Sequence, residues 1–173
     1  MAAVKSKSIA VGGLLAGLTL LCLFMATVMP TNRLSLYALS SFPTAVIVLE
    51  YGIKRGWMFY GASSLLALIL IPNKLAVVPF VVFFGIYGAV KYHIERIRNI
   101  YIEYAIKLVY FNVWLGVALV MVREFFLDGN TQLAKFPLWV LVVALEVIFV
   151  IYDYVYTLFI QYYNTKLKKM LKI

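Results

Sequence analysis

Six apolar stretches follow one another along the chain, near positions 8–29, 34–53, 56–71, 75–93, 101–127 and 135–163. Most approach the roughly 20 residues that a helix needs to cross a hydrocarbon layer about 30 Å thick. The breaks carry turn-forming or charged residues: "MPTNR", "KRG", "IPNK", a charged run from Lys91 to Arg98, and "LDGNTQ". The pattern predicts an all-α membrane protein of six transmembrane helices. Its 173 residues leave no room for a separate soluble domain, so residues 1–173 form one expected membrane domain.

Composition points the same way. The chain is 65% hydrophobic and 13% charged, where a soluble domain is about half apolar and a quarter charged. A net charge of +9 would suggest nucleic acid in a soluble protein, but membrane chains concentrate Lys and Arg in cytoplasmic loops. Lys5, Lys7, Lys54, Arg55, Lys91, Arg96, Arg98, Lys166, Lys168, Lys169 and Lys172 fall at the termini and in the even-numbered loops, against Arg33, Lys74 and Lys135 on the opposite face. Eleven against three predicts a multi-pass protein of the cell membrane with both termini cytoplasmic, and the charge then needs no nucleic-acid partner.

Cys22 stands alone inside the first apolar run, without a disulfide or metal-ligand partner. Leu21 precedes it where a lipoprotein signal would place a small residue. The run is also longer than a signal-peptide core of about 7 to 15 residues, which predicts an uncleaved span.

The stretch "VVFFGIYGAVKYHIERIRN", Val81 to Asn99, passes abruptly from apolar to ionisable. Tyr87, Tyr92, Tyr101 and Tyr104 flank the change as an interfacial belt does, so it reads as a solvated helix exit. His93 has no second His or Cys beside it and reads as an interfacial histidine rather than a metal ligand.

Ionisable groups at membrane depth carry more information, because each costs a few kcal/mol unless paired or wet. At about 1.5 Å per residue, Lys107 lies roughly 9 Å above the inner end of the fifth helix and Asp153 roughly 15 Å above that of the sixth. A lysine stem spans the difference. A structural ion pair between Lys107 and Asp153 is expected, with Glu103 one turn away as the competing partner. Glu146 sits near the bilayer midplane, Asn112 has comparable depth, and Arg123 is placed to reach down from the outer side. These three either line a polar pocket or satisfy one another. Asn32, Arg33, Asn73, Lys74, Glu124, Asp128 and Asn130 stand in or beside the outer loops, where solvation alone accounts for each.

In the first helix Gly12, Gly13, Ala16 and Gly17 place small residues four apart, a spacing that lets another helix approach closely. The chain contains no HExxH, GxSxG or Walker motif and no paired intramembrane aspartates, so no enzyme activity, metal or cofactor is expected.

The order of these features resembles the substrate-binding S components of energy-coupling factor (ECF) transporters. The resemblance rests on the basic, small-residue start "KSKSIAVGGLLAGLTLL", the "YGIKRG" turn, and the Pro-punctuated "IPNKLAVVPFVVFFGIYGAVKYHIE". It implies an S-component-like bundle that captures a vitamin or related micronutrient from outside. It also implies partners, namely an ECF transmembrane coupling subunit and its ATPases. In that family a small-residue motif on the first helix docks on the coupling subunit, here at Gly12 and Ala16 with Gly13 and Gly17 beside them. The ligand cavity, carried onto this chain, contains Asn32, Arg33, Asn73, Lys74, Arg123 and Glu146, with Asn112 as a further candidate to hydrogen-bond the solute. A second family of similar length and layout, the MreD-type rod-shape proteins, implies instead a scaffold in a cell-envelope assembly complex, although the acidic turn expected after its second helix is missing.

Overall fold

The computed structural model describes residues 2–97, 99–126 and 138–168, which form helices and short turns with no strand among them. Five helical stretches are long and apolar enough to cross a membrane: Ser8–Val28, Arg33–Tyr51, Lys74–Ile94, Ile100–Ala118 and Val142–Lys166. The chain divides into two compact units, Met1–His93 with Phe159–Ile173, and Ile94–Leu158.

In the first unit, α1 (Ala2–Val28) meets α2 (Arg33–Tyr51) through a single 3-10 turn, Pro30–Asn32, with Pro30 at its first position. Proline suits that place because its fixed φ is already helical and its missing N–H has no helical partner there. α1 packs chiefly on α2, and Thr19, Leu23 and Ala26 of α1 and Ser40 and Thr44 of α2 are all buried. The Thr19 hydroxyl donates to the Leu15 carbonyl at 3.1 Å and reaches the Ser40 carbonyl of α2 at 3.5 Å. Ser40 and Ser41 turn their hydroxyls onto the carbonyls of Tyr37 and Ala38 at 2.7 and 2.6 Å. Small polar side chains bonded to their own helix backbone enter an apolar interior at little cost.

The turn into α3 (Ile53–Leu70) is tighter than the sequence pattern suggests. The expected break at "KRG" lies inside α3, and the chain reverses at Gly52 alone, with φ +87° and ψ 167°. Only glycine takes that backbone without strain. Lys54 and Arg55 therefore ride in the first turn of α3. Gly56 serves packing: a Cβ there would run into the Val48 Cγ2 methyl, so its absence brings α3 close to α2.

The stretch Lys74–Ile94 is built in three parts: α4 (Lys74–Pro79), a π-helical segment Phe80–Phe84, and α5 (Gly85–Ile94). Pro79 has no N–H to donate. Beyond it, Phe80 donates to Val77 and Gly85 reaches five residues back to Phe80, so the carbonyls of Ala76 and Val81 lose their usual α-helical donors. Two tyrosines take over. Tyr37 donates to Ala76 and Tyr60 to Val81, each at 2.6 Å. Gly85 completes the fit, since a Cβ there would lie 2.9 Å from the Tyr60 ring.

In the second unit Asn99 caps α6 (Ile100–Phe126), its Oδ1 accepting from the Tyr101 amide at 3.0 Å. The described part of α7 runs from Leu138 to Tyr162, and the expected start of this stretch at 135 lies outside the described residues. Contacts between Lys107 and Asp153, Phe111 and Phe149, and Asn112 and Glu146 set α6 and α7 antiparallel.

Candidate functional site

The strongest concentration of chemistry in the second unit is the ladder along α6 and α7. At its lower rung the Lys107 ammonium, 3% exposed, lies 2.7 Å from Glu103, 3.0 Å from Asp153 and 3.5 Å from Glu95. Glu103 is one turn away on the same helix, Asp153 comes from α7, and Glu95 comes from the turn before α6. One ammonium thus ties three segments of chain together. The Tyr104 ring stands beneath it, its centre 5.5 Å from Nζ. Glu95 is the partner that sequence spacing misses: twelve residues before Lys107 and on the far side of a turn, it reads as part of a solvated exit until the turn folds back.

The middle rung is apolar, with Phe111 and Phe149 stacked 4.5 Å apart. Above it the Asn112 Nδ2 donates to the Leu108 carbonyl at 3.0 Å and to Glu146 Oε1 at 3.1 Å. Asn112 is exposed on the described surface and Glu146 half-buried. A carboxylate has acceptor positions for several hydrogen bonds, so one amide does not exhaust Glu146. The lower rung gathers one ammonium among three carboxylates, whereas the upper one holds a single carboxylate with acceptor capacity to spare. Arg123 belongs to α6, but its side chain, like that of Glu124, lies outside the described residues, as do Asp128 and Asn130.

Three other residues expected to bind a solute sit in the first unit and have local employment or open exposure. Lys74 reaches back to the C-terminal end of α3: its Nζ donates to Leu68, to Ile71 at 2.9 Å and to Ile69 at 3.5 Å. A lysine there satisfies carbonyls that lack helical donors and complements the negative end of the dipole. Asn73 caps α4, its Oδ1 accepting from the Ala76 amide at 3.4 Å. Arg33 is exposed at the start of α2. On α1, Gly13 and Gly17 lie exposed and Gly12 and Ala16 half-exposed, and nothing stands within 4 Å of a Cβ built on any of the three glycines.

The charged end of α5 departs from the expected solvated exit. Lys91 is completely buried, its ammonium 6.0 Å from the centre of the Tyr87 ring. Its position one turn before the helix end turns it inward, while His93 remains exposed and donates from Nδ1 to the Ala89 carbonyl at 2.9 Å. Arg98 lies outside the described residues. Among the described residues, no group of three or more His, Cys, Asp or Glu is arranged to hold a metal ion.

Fold and ladder together define a helical protein with five helical stretches long and apolar enough to cross a membrane, and with polar groups paired between two of them. Comparison with protein-family models, with curated proteins and with solved structures finds no match in any of the three.

Proposed function

We propose that the protein is the solute-binding membrane subunit of an uptake system, an S-component-like bundle of six helices working with an ECF-type coupling subunit and ATPases. One observation carries the reading: the Asn112–Glu146 hydrogen bond at 3.1 Å, a carboxylate with spare acceptor capacity within two membrane-length helical stretches. Such a group is expensive in hydrocarbon and favours a polar solute as its additional partner. The solute would be a small molecule with hydrogen-bond donors, a vitamin or related micronutrient, entering from outside. Arg123 would hold an anionic part of it. Lys74 and Asn73 move from solute contacts to the frame of the outer turn, because their polar atoms cap α3 and α4.

The open face of α1 around Gly12, Gly13, Ala16 and Gly17 is where a coupling subunit would dock. Both termini are cytoplasmic in this reading. It is supported by the side-by-side course of α2 and the end of α7: Phe42 stacks on Phe159 at 4.4 Å and Glu50 meets Lys168 at 3.1 Å, so the second turn and the C-terminal tail share one end of the unit.

A scaffold in an envelope-assembly complex is the second reading, favoured by the employment of Lys74 and Asn73 in helix capping. The deciding experiment purifies the intact protein from its native membrane and analyses bound small molecules and accompanying ATPase subunits by mass spectrometry. A bound solute lost in Glu146→Ala, together with ATPase subunits lost in Gly13→Leu, supports the uptake reading. Finding neither a solute nor ATPases in the unaltered protein rejects it in favour of the scaffold.

A further inference from the structure

The basic end of the first unit does more than obey a charge-asymmetry rule. That rule asks only that cations lie on one side of the membrane, not that they gather. Here they gather. The tail of α7 runs alongside α2, from the Phe42–Phe159 stack to the Glu50–Lys168 ion pair, bringing Lys166 and Lys168 to the turn that carries Lys54 and Arg55. All four cations are exposed. Within residues 50–55 and 162–168 the single carboxylate is Glu50, which is nearly buried and engaged by Lys168. The patch thus keeps a surplus of three positive charges, four cations less one carboxylate.

Two cations are also held in place by aromatic rings. Arg55 lies over Tyr51 at 5.4 Å and Lys166 over Tyr162 at 5.8 Å, both within cation–π range. Tyr51 and Lys166 are the last residues of two membrane-length stretches, Arg33–Tyr51 and Val142–Lys166. The patch therefore stands at the height of lipid headgroups, with tyrosines at the interface and cations just beyond it. A guanidinium suits paired hydrogen bonds to phosphate oxygens, and lysines add point charges around it.

We propose that this patch, Lys54, Arg55 and Lys166 with Lys168 beside them, binds the phosphate diester headgroup of an anionic phospholipid. Lys168 holds the α7 tail against α2 through Glu50, so the site depends on that ion pair for its shape. The inference is independent of any solute bound at Glu146.

The test uses the intact protein in a neutral detergent, with native mass spectrometry and thermal unfolding in the presence of phosphatidylglycerol, phosphatidylcholine or glycerol 3-phosphate. Phosphatidylglycerol should be retained and raise the melting temperature, phosphatidylcholine should do so far less, and the preference should shrink as salt rises. At roughly fivefold per cation, the triple variant Lys54→Gln, Arg55→Gln, Lys166→Gln should bind phosphatidylglycerol about 100-fold more weakly. Arg33→Gln, which removes a cation away from the patch, should bind it unchanged. Equal retention of phosphatidylcholine would overturn the proposal using the unaltered protein alone, whatever the folding of the variants. So would equal binding of glycerol 3-phosphate, which would make it a free-phosphate site, or undiminished binding by a folded triple variant.

Discussion

The Tyr60 hydroxyl donates to the Val81 carbonyl at 2.6 Å, closing from α3 a backbone position that the π-helical segment in Lys74–Ile94 opens. Tyr37 does the same for Ala76 from α2. In a bilayer an unsatisfied carbonyl has no water to turn to, so a proline-broken helix needs donors from its neighbours. These two tyrosines are therefore the condition on which Pro79 is tolerated.

Tyr60→Phe and Tyr37→Phe should each lower stability by about 1–3 kcal/mol, the cost of leaving a buried carbonyl unpaired. Unfolding in detergent measures it. If Pro79→Ala restores a regular helix, Tyr60→Phe should cost much less in that background, and an unchanged cost would refute the link.

Lys107 serves three carboxylates, so its loss leaves several negative charges in one partly buried place. Lys107→Met should destabilise by about 3–5 kcal/mol. Asp153→Asn should cost less, because Glu103 and Glu95 still accept from the ammonium. The double variant should be less damaging than the sum of the two, and strict additivity in a double-mutant cycle would show that the two groups are not coupled.

The glycines divide into two kinds. Gly56→Ala drives a methyl into Val48 and should cost about 1–3 kcal/mol. Gly13→Ala and Gly17→Ala meet nothing within 4 Å and should leave the isolated protein unchanged or stabilise it by up to about 1 kcal/mol. Melting temperatures of the purified variants decide it, and a large loss at Gly13 would mean that the α1 face is already covered.

Lys74→Gln should lower stability by roughly 0.5–1 kcal/mol through the end of α3. Its melting temperature should shift while Lys54→Gln, exposed in the first turn of the same helix, shifts little. Equal effects would remove the capping role.

Much of the architecture follows from sequence alone, because a membrane imposes it. Runs of apolar residues long enough to cross hydrocarbon must be helical to satisfy their own backbone; Ser8–Val28, Arg33–Tyr51 and Lys74–Ile94 match the expected runs within two residues, and Ile100–Ala118 and Val142–Lys166 overlap the last two. The run near 56–71 corresponds to α3, which starts earlier and carries two cations in its first turn. Depth arithmetic was enough to bring Lys107, Glu103 and Asp153 into one expectation, since rise per residue is constant along a helix. It was also enough to place Asn112 level with Glu146. Sequence had no means of assigning Lys74 and Asn73 to helix ends, because a polar residue in a loop looks the same whether it faces a solute or a carbonyl. Nor could it bring Glu95 to Lys107, bury Lys91, or move the chain reversal from "KRG" to Gly52. Those depend on which way a turn folds and which face of a helix meets another. Hydrophobic length is a property of a segment, whereas the partner of a polar atom belongs to the packed assembly of segments, and only the tertiary structure decides it.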